Sequence, residues 1–267
     1  MRANYHTHTP RCRHAVGAER AYIERALAGG LELLGFSDHA PFTYADPGYD
    51  SGVRMFPEEL EGYVDTLAAL RAEYAGRIEL HIGLEAEYYP ALFPQLLDRL
   101  RGLEVEYLLL GQHFLGNELG EPYCGRPTAD RSTLDRYVSQ SIEGMDTGAF
   151  SCFAHPDLIR FVGDAAEYDR QMHRLCRAAA ERNIPLELNL LGLREGRNYP
   201  DERFWRIAGE VGNSVILGCD AHRPEHAWDP ESEARALALA ERCSLLLADT
   251  LTLVSPVTGA SCPAPEN

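Results

Sequence analysis

The sequence predicts an α/β chain folded as a TIM-like barrel of seven β/α units, with a metal site at the C-terminal ends of the strands. Three observations carry that expectation. Short apolar segments alternate with longer stretches of helical periodicity along the chain. Nine histidines and carboxylates stand at or just beyond the ends of those apolar segments. They also come from at least six strand ends spread over the whole chain. An open sheet gathers residues around one switch point, whereas a barrel brings every C-terminal strand end to one mouth.

The elements follow in order. Strands are expected near residues 2–6, 31–36, 78–84, 105–111, 151–154, 185–190 and 214–218. Their apolar residues are largely consecutive, as parallel strands covered on both faces require. A first helix is expected from Gly17 to Ala28, stopped by Gly29-Gly30, a pair suited to a C-terminal cap. Pro57 can open a helix running to about Tyr74. The stretches Asp164 to Arg182 and Asp201 to Val211 begin with acidic residues that complement a helix dipole. No low-complexity or Gly/Ser-rich linker interrupts this alternation, so residues 1–267 are expected to form one domain.

Composition removes several classes of function. A net charge of -16 disfavours an extended nucleic-acid surface, which depends on Lys and Arg contacts to phosphate, and favours a small-molecule substrate. All 25 basic residues are arginine. Schiff-base chemistry, a P-loop lysine and a carbamylated lysine bridging two metals are therefore excluded. No apolar run approaches the roughly 18 residues of a membrane span, so no membrane partner is expected. Met1 to Tyr5 leads straight into the first histidine motif without room for a signal peptide, and a cytoplasmic location is expected. Seven cysteines without a Cys-x-x-Cys pair point to reduced thiols.

Within the nine, His6-Thr7-His8 and Asp220-Ala221-His222 each place two ligands on one face of an extended segment, because side chains alternate with period two. Glu85 follows Ile82-Gly83-Leu84 and is the carboxylate expected to bridge two cations, with Glu87 behind it. His113 and His155 end the apolar runs 108–110 and 152–154. His14 lies in the loop after the first strand, and His39 follows Asp38, its expected orienting neighbour. Cys12 and Cys219 adjoin the ligands but are expected to be small packing residues. His81, His173 and His226 fit none of these stations. Arg160, Arg194 and Arg197 follow strands and should overhang the mouth, where a guanidinium above a cation cluster makes sense only with an anion such as phosphate between them. The residues before Arg194, Gly192 and Leu193, offer it no competing partner.

The stations His6-Thr7-His8-Thr9 with His14, Phe36-Ser37-Asp38-His39-Ala40, Gly83-Leu84-Glu85, Gln112-His113-Phe114, His155 and Gly218-Cys219-Asp220-Ala221-His222 resemble the polymerase and histidinol phosphatase (PHP) superfamily. The arrangements His-Thr-His-Thr-Pro-x-Cys-x-His, Asp-His-Ala-Pro, Gln-His-Phe-Leu and Gly-Leu-Arg resemble its histidinol-phosphatase branch. The resemblance implies a distorted seven-unit barrel holding three divalent ions, Zn, Mn or Fe. One ion would take His6, His8, Glu85 and Asp220; a second would share Glu85 and add His113 and His155; the third would take His14, His39 and His222. Arg160 and Arg194 would match the branch's phosphate clamps. The implied reaction is hydrolysis of L-histidinol phosphate in histidine biosynthesis, by a hydroxide held between two of the ions, with Asp220 or a water protonating the leaving alcohol. Glu87, Asp157 and Phe42 are the candidates for receiving the substrate's ammonium and imidazole. Other readings are a PHP phosphatase or phosphodiesterase for another small ester or nucleotide, and a silent binding module.

Overall fold

The computed structural model describes residues 1–46 and 48–262. Eight strands form one parallel sheet in sequential order: β1 (Ala3–Asn4), β2 (Leu33–His39), β3 (Glu79–Ala86), β4 (Tyr107–Leu110), β5 (Cys152–Phe153), β6 (Leu186–Asn189), β7 (Ser214–Gly218) and β8 (Leu246–Leu247). The sheet curls into a half-barrel. At the C-terminal ends of its strands an isolated parallel bridge pairs Thr7 with Ala221, and His8 N–H donates to the Ala221 carbonyl (2.9 Å). The segment following β1 thus lies beside the segment following β7. The seven expected strands are all present, several shortened, and β8 is an eighth that the sequence did not announce: two exposed leucines continuing past β7.

The helices lie between the strands: α1 (Glu19–Ala28), α2 (Leu60–Glu73), α3 (Phe93–Leu100), α4 (Arg131–Asp146), α5 (Ala165–Glu181), α6 (Leu190–Glu195), α7 (Glu202–Val211) and α8 (Pro230–Arg242). Asp164 and Asp201 act more specifically than their charge suggested. Each is an N-cap whose carboxylate accepts a backbone N–H of the first turn, from Glu167 and Arg203 respectively. Asp130 and Asp229 cap α4 and α8 in the same way. At the end of α1, Gly30 adopts φ +79 and Leu31 N–H returns to the Ala26 carbonyl (3.0 Å), satisfying a carbonyl the helix leaves open. A short antiparallel pair, β9 (Leu253–Val254) and β10 (Ser261–Cys262), follows the sheet.

Two apolar clusters hold these parts together. The larger joins the helices to the outer face of the sheet through Phe36, Leu84, Leu108, Phe153, Leu186 and Leu217. The smaller lies on the inner face and includes Tyr5, Tyr107, Leu109, Cys152, Ala154 and Ile216. Tyr107 donates its hydroxyl toward the carbonyls of Tyr5 (2.7 Å) and Phe36 (3.1 Å). Its ring occupies space that a side chain on Gly83 would fill, which is why β3 carries glycine there. With the inner face plugged at this level, polar side chains collect at the strand ends.

Candidate metal centre

Strand register delivers the candidate ligands. His39, the last residue of β2, pairs with Glu85 of β3, so an imidazole and a carboxylate start as neighbours. His155 and Asp220 follow β5 and β7 with φ of 35 and 46, a left-handed region that costs a residue with a side chain about 1–3 kcal/mol.

Glu85 is at the middle. Its Oε2 lies 3.3 Å from His6 Nε2, 3.5 Å from His8 Nε2 and 3.1 Å from His39 Nδ1. Its Oε1 lies 2.8 Å from His155 Nε2 and 3.4 Å from His113 Nε2. Asp220 Oδ1 is 3.2 Å from His8 Nε2, and a third group, His14, His39 and His222, brings ring nitrogens within 4.8 Å of one another. All nine sequence candidates therefore converge, with His39 standing between the Glu85 group and the His14–His222 group. Burial works against the charge on Glu85, yet the imidazoles of His113, His6 and His39 hold its pKa well below the usual carboxylate range. Asp220 is likewise lowered against its burial by His6 and His8.

The contacts around the rings suit cations. His14 Nδ1 faces the Cys12 carbonyl (2.7 Å) and His222 Nδ1 the Asp220 carbonyl (3.2 Å). A carbonyl only accepts, so each Nδ1 carries a proton, and in the neutral imidazole Nε2 is left to present a lone pair. Those two Nε2 atoms are 2.8 Å apart. His6 and His8 repeat the pattern: their Nδ1 atoms face Glu187 (2.7 Å) and Asp38 (3.4 Å), and their Nε2 atoms stand 3.1 Å apart. Ring nitrogens this close need a cation between them, a proton or a metal ion; against their burial, the carboxylates around His6 and His8, chiefly Glu187 and Asp220, raise both pKa values well above the usual imidazole range. Buried His39 Nδ1 and Asp220 Oδ1 also have no hydrogen-bond partner. The donor set, imidazoles with two carboxylates, fits divalent ions of the zinc or manganese type.

A cavity of about 500 Å³ opens over this centre, lined among others by His14, His39, Glu85, His113, Tyr123, Glu195, Arg197, Asp220 and His222. Of the three arginines expected at the mouth, Arg197 is on its wall, paired with Glu195 (2.7 Å) and Tyr199 Oη (3.0 Å). Arg160 is exposed and lines an adjoining cavity that shares Tyr123, Arg197 and Tyr199. Arg194 is not on the central wall. Contrary to the sequence expectation it has a strong competing partner, Asp229 (2.9 Å), and reaches the carbonyls of Cys219 (3.3 Å) and Asp220 (3.4 Å) from below. Asp229 is 35 positions away in sequence, which is why its approach was invisible there.

The residues expected to receive an ammonium or imidazole are occupied elsewhere. Asp157 is buried and accepts from Asp201 N–H and Trp205 Nε1, and Phe42 packs under the Arg54 guanidinium. Glu87 lines the cavity but is held by Arg54 and His113. Asp38 supports His8 more than His39: besides facing His8 Nδ1, it accepts Thr9 N–H (3.2 Å) and the Thr9 hydroxyl. Cys219 is packed as expected, with Sγ against the Ala227 carbonyl. Cys12 lies closer to the chemistry, within ligand range of His8 and His222.

Glu187 is the main residue the sequence did not disclose. It is 2 % exposed on β6, accepts from His6 Nδ1, and also accepts His155 N–H (3.1 Å) and Asn189 Nδ2 (3.1 Å). Asn189 in turn donates to Asp220 Oδ2 (3.1 Å). The signal was present in Leu186-Glu187-Leu188-Asn189, where two polar residues two apart interrupt an apolar strand on one face.

The chain is similar to known proteins in sequence and in fold. The probable histidinol-phosphatase of Deinococcus radiodurans is 31% identical over 226 residues, covering 82% of this chain and 85% of that protein. The histidinol-phosphatase of Bacillus subtilis is 28% identical over 250 residues, covering 82% and 92%. In three dimensions the chain is similar to histidinol phosphate phosphatase from Lactococcus lactis, solved with zinc, L-histidinol and phosphate: TM-score 0.69, 20% identity, 92% and 95% of the two chains covered. The model of the PHP domain matches residues 4–190, and with these relatives it shows that the chain belongs to the PHP domain family.

Proposed function

We propose that this chain is a metal-dependent phosphomonoesterase that hydrolyses L-histidinol phosphate to L-histidinol and phosphate, a step of histidine biosynthesis, in the cytoplasm. The observation that carries the reading is the convergence of His6, His8, His39, His113 and His155 on the Glu85 carboxylate, with His14 and His222 paired beside His39. The names of the relatives point to the same substrate. In this proposal the whole chain, 1–267, acts as one seven-unit barrel whose strand ends hold three ions. His6, His8, Glu85 and Asp220 would hold one; Glu85, His113 and His155 a second; His14, His39 and His222 the third. When bound, such ions supply a nucleophile from water at neutral pH and neutralise charge on phosphoryl oxygens.

The chain's own groups do the rest. Arg197, already on the cavity wall, exchanges its Glu195 partner for phosphate oxygens, and Arg160 reaches the same group from the adjoining cavity. Arg194 works from beneath, fixing the carbonyls of Cys219 and Asp220 and so the direction of the Asp220 carboxylate. Asp220, on the cavity wall with its Oδ1 buried and outside any hydrogen bond, takes a proton from the attacking water and passes it to the leaving alkoxide oxygen. Glu195, released by Arg197, is the carboxylate available to the substrate's ammonium.

Phosphate release by the zinc- and manganese-loaded protein from histidinol phosphate, other phosphomonoesters and a phosphodiester tests this. The account expects kcat/KM for histidinol phosphate to exceed the other esters by at least tenfold. Equal or better turnover of another ester assigns the site to that ester, and no hydrolysis of any overturns the reading.

A further inference from the structure

Arg54 lies in the segment between β2 and α2, in Ser51-Gly52-Val53-Arg54, where nothing in the sequence marks it. In the structure it is only 3 % exposed, and all its N–H groups are used. Nη1 donates to the Ala40 carbonyl (2.9 Å) and Glu87 Oε2 (3.2 Å), and Nη2 to Glu87 Oε1 (3.0 Å) and Glu118 Oε2 (2.6 Å). Nε also reaches Glu118 Oε2 (3.3 Å). The guanidinium grips Glu87 with both edges of its fork, the geometry in which arginine fixes a carboxylate's plane as well as its position. Glu87 Oε1, so fixed, faces His113 Nδ1 at 3.0 Å. His113 Nε2 then points at Glu85.

Each link in this series constrains the next. An arginine with no free donor is not waiting for substrate, although it borders the central cavity. Its ring of acceptors comes from β2's end, the segment after β3 and the segment after β4, three pieces of chain that no other described side chain joins in this way. Two carboxylates and one guanidinium would be costly to bury for packing alone, since apolar residues of similar volume fill space without that desolvation. What the charges add is direction: a fixed acceptor that keeps the His113 proton on Nδ1 and its lone pair on Nε2.

We propose that Arg54 is a positioning residue that acts through Glu87 on His113, setting that imidazole's proton and direction for the ion it shares with Glu85. This rests on the ligand assignment proposed above, and the controls separate the two. Zinc affinity is measured by titrating the metal-free protein, site by site, in Arg54→Met, Glu87→Ala, the double variant and His113→Ala. Arg54→Met and Glu87→Ala should each weaken one ion by about 10- to 100-fold, the range for loss of an orienting partner, and leave the other ions unchanged. The double variant should weaken it no further than Glu87→Ala, because the hydrogen bonds that link Arg54 to His113 run through Glu87. Parent affinity in Arg54→Met, or losses that multiply in the double variant, would overturn the proposal. If Arg54→Met does not fold, Arg54→Lys decides. It keeps the buried charge but cannot hold Glu87 by two edges, so it should show a partial loss at the same ion, and full affinity overturns the proposal. His113→Ala should lose that ion outright; if it does not, the ligand assignment fails and the Arg54 proposal with it.

Discussion

Gly218, at the end of β7, offers a test of how the centre is held, without touching a candidate ligand. A Cβ built on it overlaps the Glu187 carboxylate and comes within 2.8 Å of Glu187 Cγ. Glu187 has no slack, because its oxygens are engaged by His6, His155 and Asn189. Gly218→Ala must therefore displace the carboxylate or the backbone of β7. Losing one charge-assisted hydrogen bond costs about 1.5–3 kcal/mol and overpacking a tight interior about 1–3 kcal/mol, so about 2.5–6 kcal/mol is expected in all. That is a large share of the roughly 5–15 kcal/mol by which domains are stable. Urea denaturation of the metal-free protein reads this loss, and zinc titration should show an affinity about 10- to 100-fold weaker as His6 loses its orienting acceptor. Gly62, inside α2 with open space around it, is the control: Gly62→Ala should stabilise by about 0.5–1 kcal/mol through helix propensity alone. A Gly218→Ala protein with parent stability and parent zinc affinity would refute the claim that Glu187 is locked and that it positions His6.

Glu85→Gln keeps the size of the central carboxylate but removes the charge that two cations would share, so metal content by elemental analysis and turnover should fall together. Parent values of both would mean that another carboxylate does the bridging. Arg194→Ala removes the Asp229 pair and the contacts to the Cys219 and Asp220 carbonyls. It should lower kcat/KM by about 10- to 100-fold and weaken the ion held through Asp220, whereas lowered kcat/KM with intact metal binding would instead indicate direct phosphate contact. His81, far from the cavity, sits between Glu106 (3.1 Å) and Glu79 (2.9 Å); burial lowers its pKa, but the hydrogen bond and charge of Glu106, aided by Glu79, raise it overall. A histidine whose folded pKa is raised adds stability that is complete below its unfolded value of about 6.5 and is lost as pH climbs through the folded value. The stability gap between the parent and His81→Gln should accordingly be larger at about pH 6 than at about pH 9, and a gap independent of pH removes His81 from the account.

The ligand positions were legible because a strand end is a local feature: an apolar run stops and a histidine or carboxylate follows, as at His113, His155 and Asp220. Convergence was legible for the same reason, since strand ends of a curled parallel sheet share one edge. The supporting residues were less visible. Glu187 showed itself only as a polar interruption in an apolar strand, and Arg54 not at all, because its partners Glu87 and Glu118 are 33 and 64 positions away in sequence. The pairing of Arg194 was hidden as well: its partner is not the adjoining Glu195 but Asp229, 35 positions away, which arrives from the N-cap of α8. Helix limits inferred from Gly29-Gly30, Pro57, Asp164 and Asp201 lay within two or three residues of those observed, since caps are local chemistry. The strand β8 carries no inward-facing signal, being two exposed leucines, and nothing local announced it.

The central claim is that three ions occupy the space between these nine side chains. Anomalous diffraction at the zinc edge from crystals of the zinc-loaded protein tests it most directly. The account predicts three peaks: one within about 2.0–2.3 Å of donor atoms of His6, His8, Glu85 and Asp220, one of Glu85, His113 and His155, and one of His14, His39 and His222. A map with no peak at Glu85, or with its peaks outside these side chains, would contradict it.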